Sequence, residues 1–145
     1  MTDTKTLRRI LTDYERVAVV GLSQNPSRAS NVVARYLLDH GFEVIPVNPK
    51  YDEVLGQTCY PDLTSIPTPV DIVDLFQRAE RVPPFVDDAI AIGAKVVWMQ
   101  LDIVHEEAAR KARSAGLEVI MDRCIKIDHA RLFDDVASIE IDTRR

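Results

Sequence analysis

The segment Gly21-Leu22-Ser23-Gln24-Asn25-Pro26-Ser27-Arg28-Ala29-Ser30 has the residue types of an anion-binding loop. Gly21 lets the backbone turn sharply at the end of an apolar run. Ser23 and Ser30 offer hydroxyl donors. A helix starting near Ser30 would present free N–H groups and the positive end of its dipole. Arg28 adds a charge-assisted contact to any phosphate held there. The set suits a diphosphate, although a tight turn followed by a serine N-cap needs the same residues without any ligand.

The loop lacks the commoner nucleotide signatures. A G-x-G-x-x-G fingerprint would place glycines at positions 23 and 26, where the chain has Ser23 and Pro26, and there is no glycine–lysine triphosphate loop. The next apolar run ends in Pro46-Val47-Asn48-Pro49-Lys50. NAD-binding folds usually carry an acid at that point for the ribose hydroxyls. A neutral Asn48, a rigid Pro49 and a cationic Lys50 instead suit a ribose that bears its own phosphate, as in NADP or coenzyme A. Asp52 and Glu53 follow closely and weaken that contrast.

Groups able to do covalent chemistry are sparse. His40, His105 and His129 show no Ser–His–Asp or Cys–His spacing. Cys124 follows an apolar run directly, in MDRCIKI, where Arg123 and the start of the next helix favour a thiolate; it is read either as a redox thiol or as a small buried residue. Cys59 has no such surroundings. Trp98 is expected in the core with one edge toward the crevice, and Pro83-Pro84 to start a helix. Two cysteines are too few for a disulfide framework or a four-thiolate zinc site, and point to a reducing, cytoplasmic compartment. A net charge of −5 disfavours general attraction to nucleic acid or anionic membrane, and no segment reads as a signal peptide or a membrane span.

These residues need a scaffold, and the hydrophobic pattern supplies one. A first helix is expected from Thr2 or Asp3, with Leu7, Ile10, Leu11 and Tyr14 on one face. Strands are expected at 17–21, 42–47, 70–75, 96–99 and 117–121. Helices follow from 31 to 40, from 83 to 92, from 106 to 115 and from 126 to 133, three of them closed by Gly41, Gly93 and Gly116. The connection from Lys50 to Pro69 is expected to hold only a turn of helix near 62–65. Alternating strands and helices with right-handed crossovers imply an α/β chain: one doubly wound, Rossmann-like domain with a five-stranded, mainly parallel sheet. It takes in the whole chain, 1–145, with a core of about 7–133 and a tail, 134–145, left unplaced. One domain's length leaves room for a nucleotide site but not for the separate substrate domain of a dehydrogenase.

Five segments in order, GLSQNPSRAS, IPVNPKYDEVLGQTCYPDL, VDIVDLFQRAERVP, VVWMQ and MDRCIKID, resemble the stand-alone CoA-binding proteins of bacteria and archaea over roughly Leu7 to Leu132. The fold of that family is similar to the CoA-binding domain of the succinyl-CoA synthetase alpha subunit. The resemblance implies that Gly21, Ser23, Pro26, Arg28 and Ser30 cradle the CoA diphosphate. It implies Asn48, Pro49 and Lys50 beside the adenosine and its 3′-phosphate, Phe76, Arg78 and Val82 along the pantetheine arm, and Trp98 and Gln100 in the fourth-strand motif. Asp102 stands where the family commonly has glycine, so strain is expected if that position needs a positive φ, while an Asp there can cap the helix that follows. The ligase's phosphorylated histidine belongs to a further domain, so the resemblance implies binding of coenzyme A or an acyl-CoA and no ligase activity. Two alternatives stay open: a small NADP-linked oxidoreductase, and a CoA- or redox-sensing regulator acting through a protein partner; a homo-oligomer is open under any of these readings.

Overall fold

The computed structural model describes residues 2–133, so the unplaced tail lies outside the described residues. Helix α1 (Thr4–Asp13) is capped by Asp3, whose carboxylate accepts the Thr6 N–H at 2.8 Å, and it buries Leu7, Ile10 and Leu11. There follow β1 (Arg16–Val20), α2 (Ala29–Asp39), β2 (Glu43–Val47), the short strands β3 (Glu53–Val54) and β4 (Gln57–Thr58), β5 (Ile72–Leu75), α3 (Val82–Ala91), β6 (Val96–Met99), α4 (Glu106–Ser114), β7 (Glu118–Ile120) and α5 (Ile125–Phe133). The apolar runs pair as one sheet in the order β2-β1-β5-β6-β7, every pair parallel. The order reverses between β1 and β5, which makes the fold doubly wound and opens a crevice beyond the carboxyl ends of those two strands. One face of the sheet packs under α1, α2 and α5, the other under α3 and α4.

Two local features depart from the sequence reading. The connection after Lys50 holds the expected turn at Leu63–Ser65, capped by Asp62, but also a two-stranded β3–β4 hairpin. Leu55 and Gly56 both take positive φ at its tip, 54° and 75°, as a type I′ turn requires. The chain then covers the outer edge of β2, where the Tyr60 N–H donates to the Pro46 carbonyl at 3.0 Å and the Asn48 N–H to the Tyr60 carbonyl at 2.9 Å. That is why a proline is tolerated inside β2, on the sheet's edge. Asp102 does take a positive φ, 68°, and its N–H donates to Asp122 Oδ1 at 2.7 Å. It does not cap α4; His105 does, through Nδ1, which accepts the Ala108 N–H.

The carboxyl ends of β1 and β5 approach each other closely. Gly21, at φ 88°, donates its N–H to the Val47 carbonyl at 2.8 Å, and the Phe76 N–H donates to the Val20 carbonyl at 3.0 Å. A Cβ on Gly21 would lie 2.5 Å from the Phe76 carbonyl oxygen. One layer below, Asp74 occupies the middle of β5, in register between Val19 and Trp98, with no exposed surface and neither carboxyl oxygen hydrogen-bonded. Desolvation pushes its pKa well above the usual carboxylate range, so the folded chain holds it protonated where an unfolded chain would ionise it.

Two outcomes follow from these contacts. Gly21→Ala adds a left-handed backbone cost to a clash with main chain, and should destabilise the fold by about 2 kcal/mol or more in urea unfolding. For Asp74, the unfolded state binds fewer protons than the folded state above pH 4, so its contribution to stability falls as pH rises. The loss is about 1.4 kcal/mol per pH unit until the raised folded pKa is reached. The stability of Asp74→Asn relative to wild type should therefore rise with pH above the unfolded carboxyl's pKa, and level off only once the raised folded pKa is passed, read from paired thermal melts.

Candidate functional site

The crevice is built from three loops. The loop after β1 supplies Gly21, Ser23 and Arg28; the turn after β2 supplies Asn48, Pro49, Lys50 and Tyr51; the loop after β5 supplies Phe76, Gln77 and Arg81, with Phe85 of α3 beyond. They enclose a groove of about 400 Å³.

The first loop is held by its own helix. Ser30 Oγ accepts the Ser23 N–H at 3.0 Å, Asn31 Nδ2 donates to the Ser23 carbonyl at 2.8 Å, and Arg35 donates to both Asn31 Oδ1 and the Pro26 carbonyl. Within the loop, Ser23 Oγ accepts the Asn25 N–H, and Asn25 Oδ1 accepts from Ser27. Helix α2 starts at Ala29, with Arg28 at the N-cap position and no side chain capping it. Ser30 is thus inside the first turn and buried, where its hydroxyl braces the loop. The first N–H groups of α2 are left without a side-chain acceptor, and they carry the positive end of the helix dipole.

The second loop is equally organised. Asn48 Nδ2 donates to the Leu22 carbonyl at 3.1 Å, which ties the end of β2 to the loop after β1. Asn48 Oδ1 accepts the Lys50 N–H at 3.0 Å, an Asx turn that sets where Lys50 leaves the backbone. Among the described residues, Arg28, Lys50, Arg78 and Arg81 have no ion-pair partner.

A second cavity, about 610 Å³, continues from the groove across the ends of β5 and β6. The two share Phe76, Gln77 and Arg81 as a common wall. Its other walls are Ala29 and Val33 of α2, Arg78, Gln100, Leu101 and Ile103 after β6, and Cys124 at the head of α5. Of the residues singled out in the sequence, Gly21, Ser23, Arg28, Asn48, Pro49, Lys50 and Phe76 meet in the groove, and Phe76, Arg78, Gln100 and Cys124 meet in the cleft. Pro26, Ser30 and Val82 line neither; Val82 is fully buried at the start of α3. Trp98 is fully buried too, its Nε1 donating to the Arg123 carbonyl at 2.8 Å, so its edge does not reach the crevice. Arg123 gives its guanidinium to Asp128 in a two-pronged bond of 2.7 and 2.9 Å, which leaves Cys124 without that cation. Gln77, Arg81 and Tyr51 were not singled out, although each adjoins a residue that was or lies within the same quoted segment; Phe85, Val33 and Ile103 had no chemical signal beyond their apolarity.

No cluster of His, Cys, Asp and Glu among the described residues could hold a metal ion, and no helix there is long and apolar enough to cross a membrane. His129 Nδ1 pairs with the Tyr36 hydroxyl at 2.8 Å, between α5 and α2 and away from the crevice.

Similarity to known proteins follows the same outline. The family model described as "CoA binding domain" matches residues 15–130. An uncharacterized protein, YneT, of Bacillus subtilis (strain 168) is 43% identical over 124 residues, 86% of this chain and 92% of that protein. A solved hypothetical protein of Pyrococcus horikoshii OT3 is 46% identical with a TM-score of 0.88, over 90% of this chain and 92% of that one. An ADP-forming acetate–CoA ligase I of Archaeoglobus fulgidus is 29% identical over 119 residues, 75% of this chain but only 17% of that enzyme. A crevice at the switch point of a doubly wound sheet, and a family model spanning nearly all of the core that builds it, lead to one conclusion: this chain belongs to the CoA binding domain family.

Proposed function

We propose that the chain binds coenzyme A or an acyl-CoA along the groove and cleft, and that it contributes binding without catalytic groups of its own. The observation that carries this reading is the gathering in one groove of Lys50, Arg81 and Arg28, the last at the N-cap position of the uncapped α2, all without ion-pair partners among the described residues. Three cations in one groove, with a helix N-terminus beginning at its edge, are what a diphosphate and a further phosphate need. The diphosphate would sit against Gly21, Ser23 and the start of α2, since Gly21 presents no side chain there. The adenosine would lie on the Asn48–Pro49 turn, with Lys50 beside the 3′-phosphate. The pantetheine arm would pass Phe76 into the cleft, toward Arg78 and Gln100. Pro26, Ser30 and Val82 serve this site from behind: the Pro26 carbonyl and the Ser30 hydroxyl brace the loop, and Val82 anchors α3.

Calorimetry with CoA, acetyl-CoA, NADP and NAD tests the reading. CoA and acetyl-CoA should bind, and NADP and NAD far more weakly; tight NADP binding with no CoA binding would instead establish a nicotinamide site. Arg28 is exposed in its loop, so Arg28→Ala should leave the fold intact and weaken CoA by about 1.5–3 kcal/mol, the range of a charged hydrogen bond. Lys50→Ala should weaken CoA more than 3′-dephospho-CoA. Equal losses for the two ligands would remove Lys50 from the 3′-phosphate site.

A further inference from the structure

The cleft holds two groups that phosphate binding does not use. Cys124 lines it at the head of α5 and is only 9% exposed. Gln100, 4% exposed, lines the same cleft, and its Oε1 accepts the Ile125 N–H at 3.1 Å. A backbone N–H can only donate, so this bond fixes the amide with its oxygen toward α5 and its Nε2 away from it. That Nε2 has no hydrogen-bond partner among the described residues, yet it is not an orphan sealed in the core. A buried amide donor is thus presented to an open cleft beside a thiol, with Val33 and Ile103 as apolar walls.

We propose that Cys124 is a covalent docking point for coenzyme A, formed by exchange with CoA disulfide. This rests on the reading that CoA lies along the groove and cleft. Gln100 Nε2 then donates to the last amide carbonyl of the pantetheine arm, a few bonds from the sulfur, and so holds that sulfur at Cys124. The Cys124 thiolate attacks one sulfur of CoA disulfide and the S–S bond of the disulfide breaks. A Cys124–CoA S–S bond forms, and the second CoA leaves as a thiolate that takes up the proton Cys124 released. Cys124 is oxidised, one CoA is reduced, and any reducing thiol reverses the step. Because Arg123 is committed to Asp128, selectivity comes from binding of the nucleotide rather than from a cation at the sulfur. Cys59 is an internal control. It is buried beneath the Asn48 turn, its Sγ donates to the Asn48 carbonyl at 3.4 Å, and desolvation pushes its thiol pKa up.

Incubation with CoA disulfide or glutathione disulfide, followed by intact mass and peptide mapping, tests the proposal. The wild type and Cys59→Ser should each gain one CoA, at Cys124 and lost on reduction, at least tenfold faster than they gain glutathione. Cys124→Ser should gain none. Gln100→Glu keeps an oxygen for the Ile125 N–H but loses the donor, and should bring the CoA rate down toward the glutathione rate. An adduct that persists on Cys124→Ser, no adduct on wild type, or equal rates with both disulfides overturns the proposal. A Gln100→Glu variant as fast as wild type removes Gln100 from it. Calorimetry with reduced CoA separates the two readings: CoA that binds without forming an adduct sinks only the covalent step, whereas CoA that does not bind sinks the binding reading as well.

Discussion

The architecture turns on one close approach, that of Gly21 to the Phe76 carbonyl at the ends of the two central strands. Parallel strands diverge where their helices leave on opposite faces, and this opens the crevice of a doubly wound sheet. Here the end of β1 is pinned on both sides, by Gly21 to Val47 of β2 and by Val20 to Phe76 after β5. Only a residue without a Cβ permits that geometry at a φ of 88°. Because of it, the loop after β5 stands directly against the loop after β1, and Phe76 and Gln77 become walls of both the groove and the apolar cleft.

The polar groups of the first loop divide into those that brace it and those left without a partner. Ser30, Asn31 and Arg35, all on α2, spend their hydrogen bonds on the backbone of residues 23–26. Asn48 does the same across the strand ends, bonding the Leu22 carbonyl and the Lys50 N–H. What remains unused is cationic or main-chain: Arg28, Lys50, Arg81 and the first N–H groups of α2. A site pre-organised in this way loses little side-chain entropy when an anion arrives. The chain as a whole carries a net charge of −5, so these unpaired cations form a local exception to its overall sign.

Asp74 and Asp102 are where the sequence breaks its own rules. An acid in the centre of a sheet with no partner is disfavoured by burial and is kept neutral by it. Asp102 takes a backbone conformation suited to glycine and is held there by the Asp122 carboxylate, which itself leaves a residue at φ 57°. Both lie close to the crevice: Asp74 one layer beneath Phe76, Asp102 between Leu101 and Ile103 of the cleft wall. Strain and unsatisfied polarity concentrate at functional sites, where the surrounding structure has to hold them.

Much of this was legible from the chain alone, for a physical reason. Five apolar runs separated by amphipathic stretches admit few arrangements other than a parallel sheet wrapped by helices, so the fold class, the five main strands and the crevice's position follow from periodicity and crossover handedness. Residue types next to strand ends, Gly21, Arg28, Asn48 and Lys50, could be assigned to one groove because the topology brings strand ends together. The β3–β4 hairpin could not, since two-residue strands carry no periodicity and Leu-Gly is a weak turn signal. Nor could sequence say that Ser30 braces the loop instead of capping α2, that Trp98 turns its edge inward to the Arg123 carbonyl, or that Arg123 is taken by Asp128. Those outcomes depend on side-chain direction and on competition among neighbours for a limited set of donors and acceptors. Only the packed tertiary structure decides that competition.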